Sequence, residues 1–354
     1  MRTGRETEQT AGPPYVSTGH LPAPELARSL VAEAYARLGT VDEGTVADYI
    51  PALARAAPSL FGICVAGVNG ALHSAGDAGH AFSIQSISKP FVFALVAHAI
   101  GAEAARERIG VNATALSFNS VMAVELNASR TMNPMVNAGV IATTSLAPGA
   151  SADAKWAFLD EGLSRFAGRA LTLDAGVYRS EAATNLRNRG VAKLLEGYGR
   201  MYLDALEATD IYTRRCSLNV TAKDLAVMGP TLAGGGVNPI SGERAIEAPF
   251  GKRVLAALAT ADRAAARRNR TQDPRGAGDA RDDRAGVHAH LRIPGFGDRP
   301  LAAPSYSGRV SFWPQGPVAA WLFAQSSRRG SASTRGIRGL SVTASWPRGM
   351  PGVP

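Results

Sequence analysis

Ser86 and Lys89 stand three residues apart in "SIQSISKPFVFALV", at the entry to an apolar run. On a helix that spacing puts both side chains on one face, one turn apart. An amine held there can take the proton of the serine hydroxyl, which turns a weak nucleophile into an effective one. Ser88 is the competing nucleophile, but it adjoins Lys89 on a different helix face and ranks below Ser86. Further along, "NPMVNAG" supplies Asn133 and Asn137, and "SEAATNLRN" supplies Glu181 and Asn188. The last two are seven residues apart. That is two helical turns, so one helix would aim both into one pocket. Taken singly, each has a plainer reading: a capping asparagine, a solvated glutamate and, at Tyr212 in "DIYTRRCS", a half-buried tyrosine.

These side chains need elements to hold them. "SLFGICVAGVNGALHSAG" places Asn69-Gly70 between two apolar segments, which predicts a tight hairpin with strands near Phe61–Val68 and Ala71–Ser74. A helix starting close to Ser86 follows after one short loop. Pro90 fits it, because the first helical N–H groups have no intrahelical partner. The same placement sets Ser86 at the positive end of the helix dipole. Apolar spacing predicts an amphipathic helix over Glu25 to Leu38. "FNSVMAVEL", "NPMVNAGVIATTSL", "KWAFLDEGLSRFAG" (ending at Gly168), "YRSEAATNLRNRGVAKLLEGYGRMY" and "TAKDLAVMGPTLAGGG" also read as helical. A hairpin followed by a helical middle makes the chain α/β (α+β), a sheet flanked by helices plus a helical lobe.

Of 354 residues, 45% are hydrophobic and 19% charged, as in a globular protein with a large core. No stretch approaches the roughly 18 apolar residues of a membrane span. The first twenty residues hold arginines but no apolar core of a secretory signal, so a cytoplasmic location and no membrane partner are expected. They are polar and predict a flexible lead-in over 1–20. Two cysteines give no disulfide framework or metal quartet, and six histidines form no metal-ligand spacing. The net charge is +9, and residues 256–354 carry all of it, with 15 arginines, 6 aspartates and neither lysine nor glutamate. This segment matches no nucleic-acid-binding motif, which argues against a nucleic-acid partner. Its Arg, Ala, Gly, Asp and Pro bias has almost no periodicity and too little apolar surface to offset ordering. "GRVSFW", "PVAAWLFA" and "GLSVTASW" are its candidate strands.

A hairpin, a short loop and S-x-x-K at a helix start form the setting of serine–lysine acyl-transfer enzymes such as β-lactamases and penicillin-binding proteins. A denser match is also present. "DEGTVADYIPALA", "FGICVAGVNG", "FSIQSISKPF", "FNSVMAVELN", "NPMVNAG", "LSRFAGR", "YRSEAATNLRN" and "DIYTRRCSLNVTAKDLAVMGPTLAGGGVNP" resemble, in order and spacing, the serine-dependent glutaminase family. The resemblance runs from about Tyr15 to Leu255. It implies a β-lactamase-like fold, hydrolysis of L-glutamine to L-glutamate and ammonia, no cofactor, and a homodimer or homotetramer. It implies Ser86 as nucleophile and Lys89 as its activator. Asn137, Glu181, Asn188 and Tyr212 then match positions that hold the amino-acid part of the substrate, and Tyr49 matches a tyrosine from the N-terminal segment that reaches the site, so that the substrate-binding set is Tyr49, Ser86, Asn137, Glu181, Asn188 and Tyr212.

Beyond Leu255 the resemblance ends. The family continues with a Gly-(Met/Leu)-Tyr motif and a K-S-G-V-type strand, whereas "TADRAAARR" stands where the tyrosine motif is expected. The chain thus divides into 1–20, a catalytic body over 21–255 and a divergent segment over 256–354. Two readings of that segment stay open: out-of-frame translation of a GC-rich gene, or a genuine basic interaction tail. The alternatives for the whole are a penicillin-recognising hydrolase, for which no S-D-N or K-T-G counterpart exists, and a glutaminase homologue with impaired catalysis.

Overall fold

The Asn69-Gly70 dipeptide closes the expected hairpin. Gly70 takes φ +83°, and Asn69 Oδ1 accepts the Ala71 N–H at 3.1 Å, which fixes the reversal. The computed structural model describes residues 21–40, 46–112, 116–271, 309–315 and 318–324. The expected lead-in over 1–20 and the candidate strand "GLSVTASW" lie outside them.

In chain order the elements begin with helix α1 (Pro24–Leu38) and strands β1 (Phe61–Gly67), β2 (Leu72–Gly76) and β3 (Phe82–Ser83). Helices α2 (Lys89–Ile100), α3 (Ala102–Arg108), α4 (Met122–Glu125), α5 (Asn137–Ser145) and α6 (Ala152–Ala167) follow. Next come β4 (Thr172–Leu173), α7 (Ala175–Thr184), α8 (Leu186–Gly197), α9 (Ala205–Cys216), β5 (Leu218–Val220) and α10 (Ala222–Ala233). The last are α11 (Ala248–Thr271), β6 (Arg309–Gln315) and β7 (Val318–Ala324).

One sheet runs β2-β1-β7-β6 and a smaller one β3-β5-β4, with every pairing antiparallel, so the architecture is α+β. The candidate strands "GRVSFW" and "PVAAWLFA" are β6 and β7, and β7 pairs with β1 from Phe61 to Gly67. Helix α2 is the centre of the core. Every residue from Lys89 to Ala97 is buried, and the helix packs against α5, α6 and α11. Helix α10 lies on the sheet against β1, started by a capping box in which Thr221 and Asp224 satisfy each other's backbone N–H. A second, smaller apolar cluster of Ala123, Val124, Met132, Ala138, Ala142, Val191 and Leu195 holds α4, α5 and α8 together as a helical lobe. Among the described residues no single helix is long and apolar enough to cross a membrane.

Three local readings change. "FNSVMAVEL" yields only the four-residue α4. The stretch expected as one helix from Tyr178 is broken at Asn185, which turns out of the helical conformation (φ −81°, ψ +29°). Its Nδ2 donates to Thr213 Oγ1 at 2.9 Å, so a side-chain bond to α9 pins the joint between α7 and α8. Finally, α11 runs through Leu255, where composition changes, to Thr271. Alanine and arginine are strong helix formers, and they extend the helix without the apolar periodicity that would have signalled it. Asn133 Nδ2 reaches the Ala257 carbonyl at 3.3 Å, and Ala257 and Leu258 are buried.

Candidate active site

The site grows from the joint between the small sheet and α2. Ile84 N–H still pairs with the Leu218 carbonyl at 2.8 Å, continuing β3 along β5. The chain then reverses at Gln85, whose φ of +48° lies in the left-handed region that non-glycine residues rarely occupy. One 3₁₀ turn, Gln85–Ser88, follows and leads into α2 at Lys89 with Pro90 in its first turn. Ser86 therefore sits in the turn before α2 rather than in the helix itself. The Lys89 N–H donates to its carbonyl.

Ser86 is half-buried, while Lys89 is 1% exposed. The Lys89 ammonium donates to Asn137 Oδ1 at 2.8 Å and to the Met135 carbonyl at 3.3 Å, and lies 5.4 Å from the centre of the Phe118 ring. Burial first, then the Arg215 charge, lowers its pKa from 10.5 to about 7. The neutral amine that a base requires is thus populated at neutral pH. Among the described residues, no hydrogen bond joins Ser86 Oγ to Lys89 Nζ, whose remaining position is uncommitted. Catalytic bonds of this kind often tighten only with substrate in place.

Asn137, the first residue of α5, passes the contact on. Its Nδ2 donates to Asn188 Oδ1 on α8 at 3.1 Å. From the other side, Gln85 Nε2 reaches Glu181 Oε2 on α7 at 3.4 Å and Ser83 Oγ at 3.2 Å. Glu181 is buried, and burial raises its carboxyl to about 7 against the opposing pull of the Gln85 bond and the Arg215 charge. Glu181 and Asn188 thus enter through separate partners and separate helices, a different route from the single helix expected. Tyr212 on α9 is buried, its ring 4.4 Å from the Arg215 guanidinium carbon. Tyr49 joins by its segment: the Ala52 N–H donates to Ser180 Oγ at 3.1 Å, docking that segment on α7 beside Glu181. Half of Tyr49 remains exposed, yet burial of its phenol end and then the Glu181 charge push the hydroxyl well above its ordinary range.

The other candidates separate cleanly. Ser88 is fully buried and its hydroxyl donates to the Gln85 carbonyl at 2.5 Å, so it faces the protein and not a ligand. Asn133 is a brace: its Oδ1 accepts the Met135 N–H at 2.9 Å while Nδ2 reaches Val111 and Ala257. Gln85 and Arg215 were not picked out from the sequence. A glutamine carries no signal of a left-handed backbone, and nothing in "TRRC" marks one of its arginines as buried. Among the described residues, no three His, Cys, Asp or Glu side chains converge as a metal would require.

A half-buried serine on a strained turn, a buried amine of lowered basicity and a nearby carboxylate with amide donors describe a site for acyl transfer on an amino-acid substrate. Comparison with known proteins points the same way. A family model described as Glutaminase matches residues 44–262. Glutaminase 2 of Yersinia pestis is 57% identical over 247 residues, which is 70% of this chain and 73% of that protein. A solved structure described as a probable glutaminase superposes with a TM-score of 0.67 at 38% identity, covering 69% of this chain and 80% of its own. Another, a probable glutaminase from Bacillus subtilis complexed with 6-diazo-5-oxo-L-norleucine, gives 0.57 at 30% identity over 68% of this chain and 73% of its own.

Proposed function

The chain belongs to the glutaminase family, which hydrolyses L-glutamine to L-glutamate and ammonia on a β-lactamase-like fold, and on that premise we propose how its residues carry the reaction. Ser86 Oγ attacks the side-chain carboxamide carbon while its proton passes to neutral Lys89. Negative charge gathers on the carboxamide oxygen, where backbone N–H groups, including that of Ser86, receive it. The C–N bond breaks, and ammonia leaves with the proton that Lys89 returns. Water then adds to the ester, giving its proton to Lys89, which passes it to Ser86 Oγ as the acyl–oxygen bond breaks, so that L-glutamate departs and the neutral amine is restored. No cofactor enters.

Recognition rests on charge and hydrogen-bond complementarity. Glu181 pairs with the substrate α-ammonium, and Asn137, Asn188, Tyr49 and Tyr212 offer amide and hydroxyl partners to its α-carboxylate and carboxamide. The observation that carries this reading is Lys89: buried, close to neutral, and joined through Asn137 to Asn188.

The test uses a glutamine-shaped electrophile. On exposure to 6-diazo-5-oxo-L-norleucine, Ser86 should form an ether at the diazo carbon, its hydroxyl proton going to that carbon and dinitrogen leaving. Peptide mass spectrometry should find the adduct on Ser86, with L-glutamate protecting. Labelling elsewhere, with Ser86 free, would overturn the assignment. Residues 21–255 form the catalytic body in this reading and 256–354 the divergent segment. A homodimer or homotetramer in the cytoplasm is the expected setting, supported by the association of family members and by two free, buried cysteines.

A further inference from the structure

Among the described residues Arg215 is the largest fully buried side chain, at 0% exposure, and none of their carboxylates lies within ion-pair distance of it. Its Nη1 donates to Ser88 Oγ, its guanidinium faces the Tyr212 ring, and its Nε and Nη2 have no partner among the described residues. Burying an unpaired cation is costly, and arginine cannot escape by losing its proton. A position that needed only to fill space would be better served by leucine or methionine. The bond it does make leads to the nucleophile's turn. Ser88 Oγ, which accepts the Arg215 hydrogen bond, donates in turn to the carbonyl of Gln85, the residue with φ +48°, and Ser86 comes next in the chain.

We propose that Arg215 is a positioning residue of this site: through Ser88 it clamps the Gln85–Ser88 turn that presents Ser86, and it places a permanent positive charge beside Lys89 and Glu181. The clamp holds a backbone conformation that Gln85 would not keep alone. The charge has a second effect. It favours ionised Glu181, which the substrate ammonium needs, and neutral Lys89, which proton abstraction needs. The other titratable groups facing this cluster are Tyr212 and Cys216 from α9 and Tyr49 from the segment docked on α7. Burial raises all three, Cys216 to about 12, so they stay neutral around pH 7. Only Glu181 and Lys89 respond to the arginine there.

The inference rests on Ser86 being the nucleophile. It is tested in the full chain by following both the rate of Ser86 labelling by 6-diazo-5-oxo-L-norleucine and ammonia release from L-glutamine against pH. Arg215→Gln should slow both about tenfold or more and move the acidic limb up by about one pH unit. Arg215→Lys, which keeps the charge, should hold the limb in place and recover part of the rate. Ser88→Ala breaks the relay but keeps the charge, so it should lower the rate with the limb unmoved. Equal losses in all three with an unmoved limb would mean packing alone and overturn the proposal. Should Arg215→Gln fail to fold, Ser88→Ala decides, since labelling as fast as in the parent removes the clamp. A parent chain in which Ser86 does not label at all overturns the nucleophile assignment and this inference together.

Discussion

Lys89 and Glu181 each have a pKa of about 7, from opposite starting points, and that sets the pH behaviour of the site. Lys89 must be neutral to accept a proton, so kcat/KM should rise through about pH 7 and level off above it, as a pH–rate profile would show. Lys89→Arg fixes the charge and should lower kcat by roughly 10²–10⁴. For Glu181 the folded value lies above the ordinary 4.5. The folded protein therefore keeps a proton that the unfolded chain has released. Its contribution to stability is present below about 4.5 and is lost as pH climbs through about 7. Glu181→Gln should accordingly stabilise the fold at pH 8 by about 2 kcal/mol, leave it nearly unchanged at pH 4, and raise KM because the α-ammonium loses its counter-charge. Thermal melts at the two pH values check the first, and steady-state kinetics the second.

At the scale of elements, the site depends on how closely α5 approaches the loop before it. A Cβ at Gly139 would overlap the Asn133 carbonyl, and the loop's Met135 and the first residue of α5, Asn137, both bind the Lys89 ammonium. Gly139→Ala should cost about 2 kcal/mol or more and reduce kcat, measurable by denaturant melts alongside turnover. Much of this level was legible beforehand. The hairpin at Asn69-Gly70, the Gly168 end of α6 and the capped start of α10 are set by turn and cap chemistry that lies within a few residues. The break at Asn185 was not, because its cause is a hydrogen bond to Thr213, far along the chain. Gln85 and Arg215 escaped for the same reason: a left-handed glutamine and a buried cation are consequences of tertiary packing. Ser86 and Lys89 stand out in the sequence because their spacing itself suggests the proposed chemistry.

For the whole molecule, the question is where the folded body ends. Composition divides the chain at Leu255, yet α11 continues to Thr271 and buries Leu258 against the core. Leu258→Ala in the full chain should therefore cost about 2–4 kcal/mol, and an unchanged melting curve would return the boundary to Leu255. Strand β7, from the divergent segment, pairs along the whole of β1, so that segment supplies part of the main sheet even though its sequence departs from the family. The family's tyrosine motif and K-S-G-V-type strand have no counterpart in it, which makes turnover by this chain the decisive observation. The most direct measurement is ammonia release from L-glutamine by the purified 354-residue protein beside its Ser86→Ala variant. Release that disappears in the variant is the predicted result. Release that persists in Ser86→Ala, or none from the parent protein, would contradict the account.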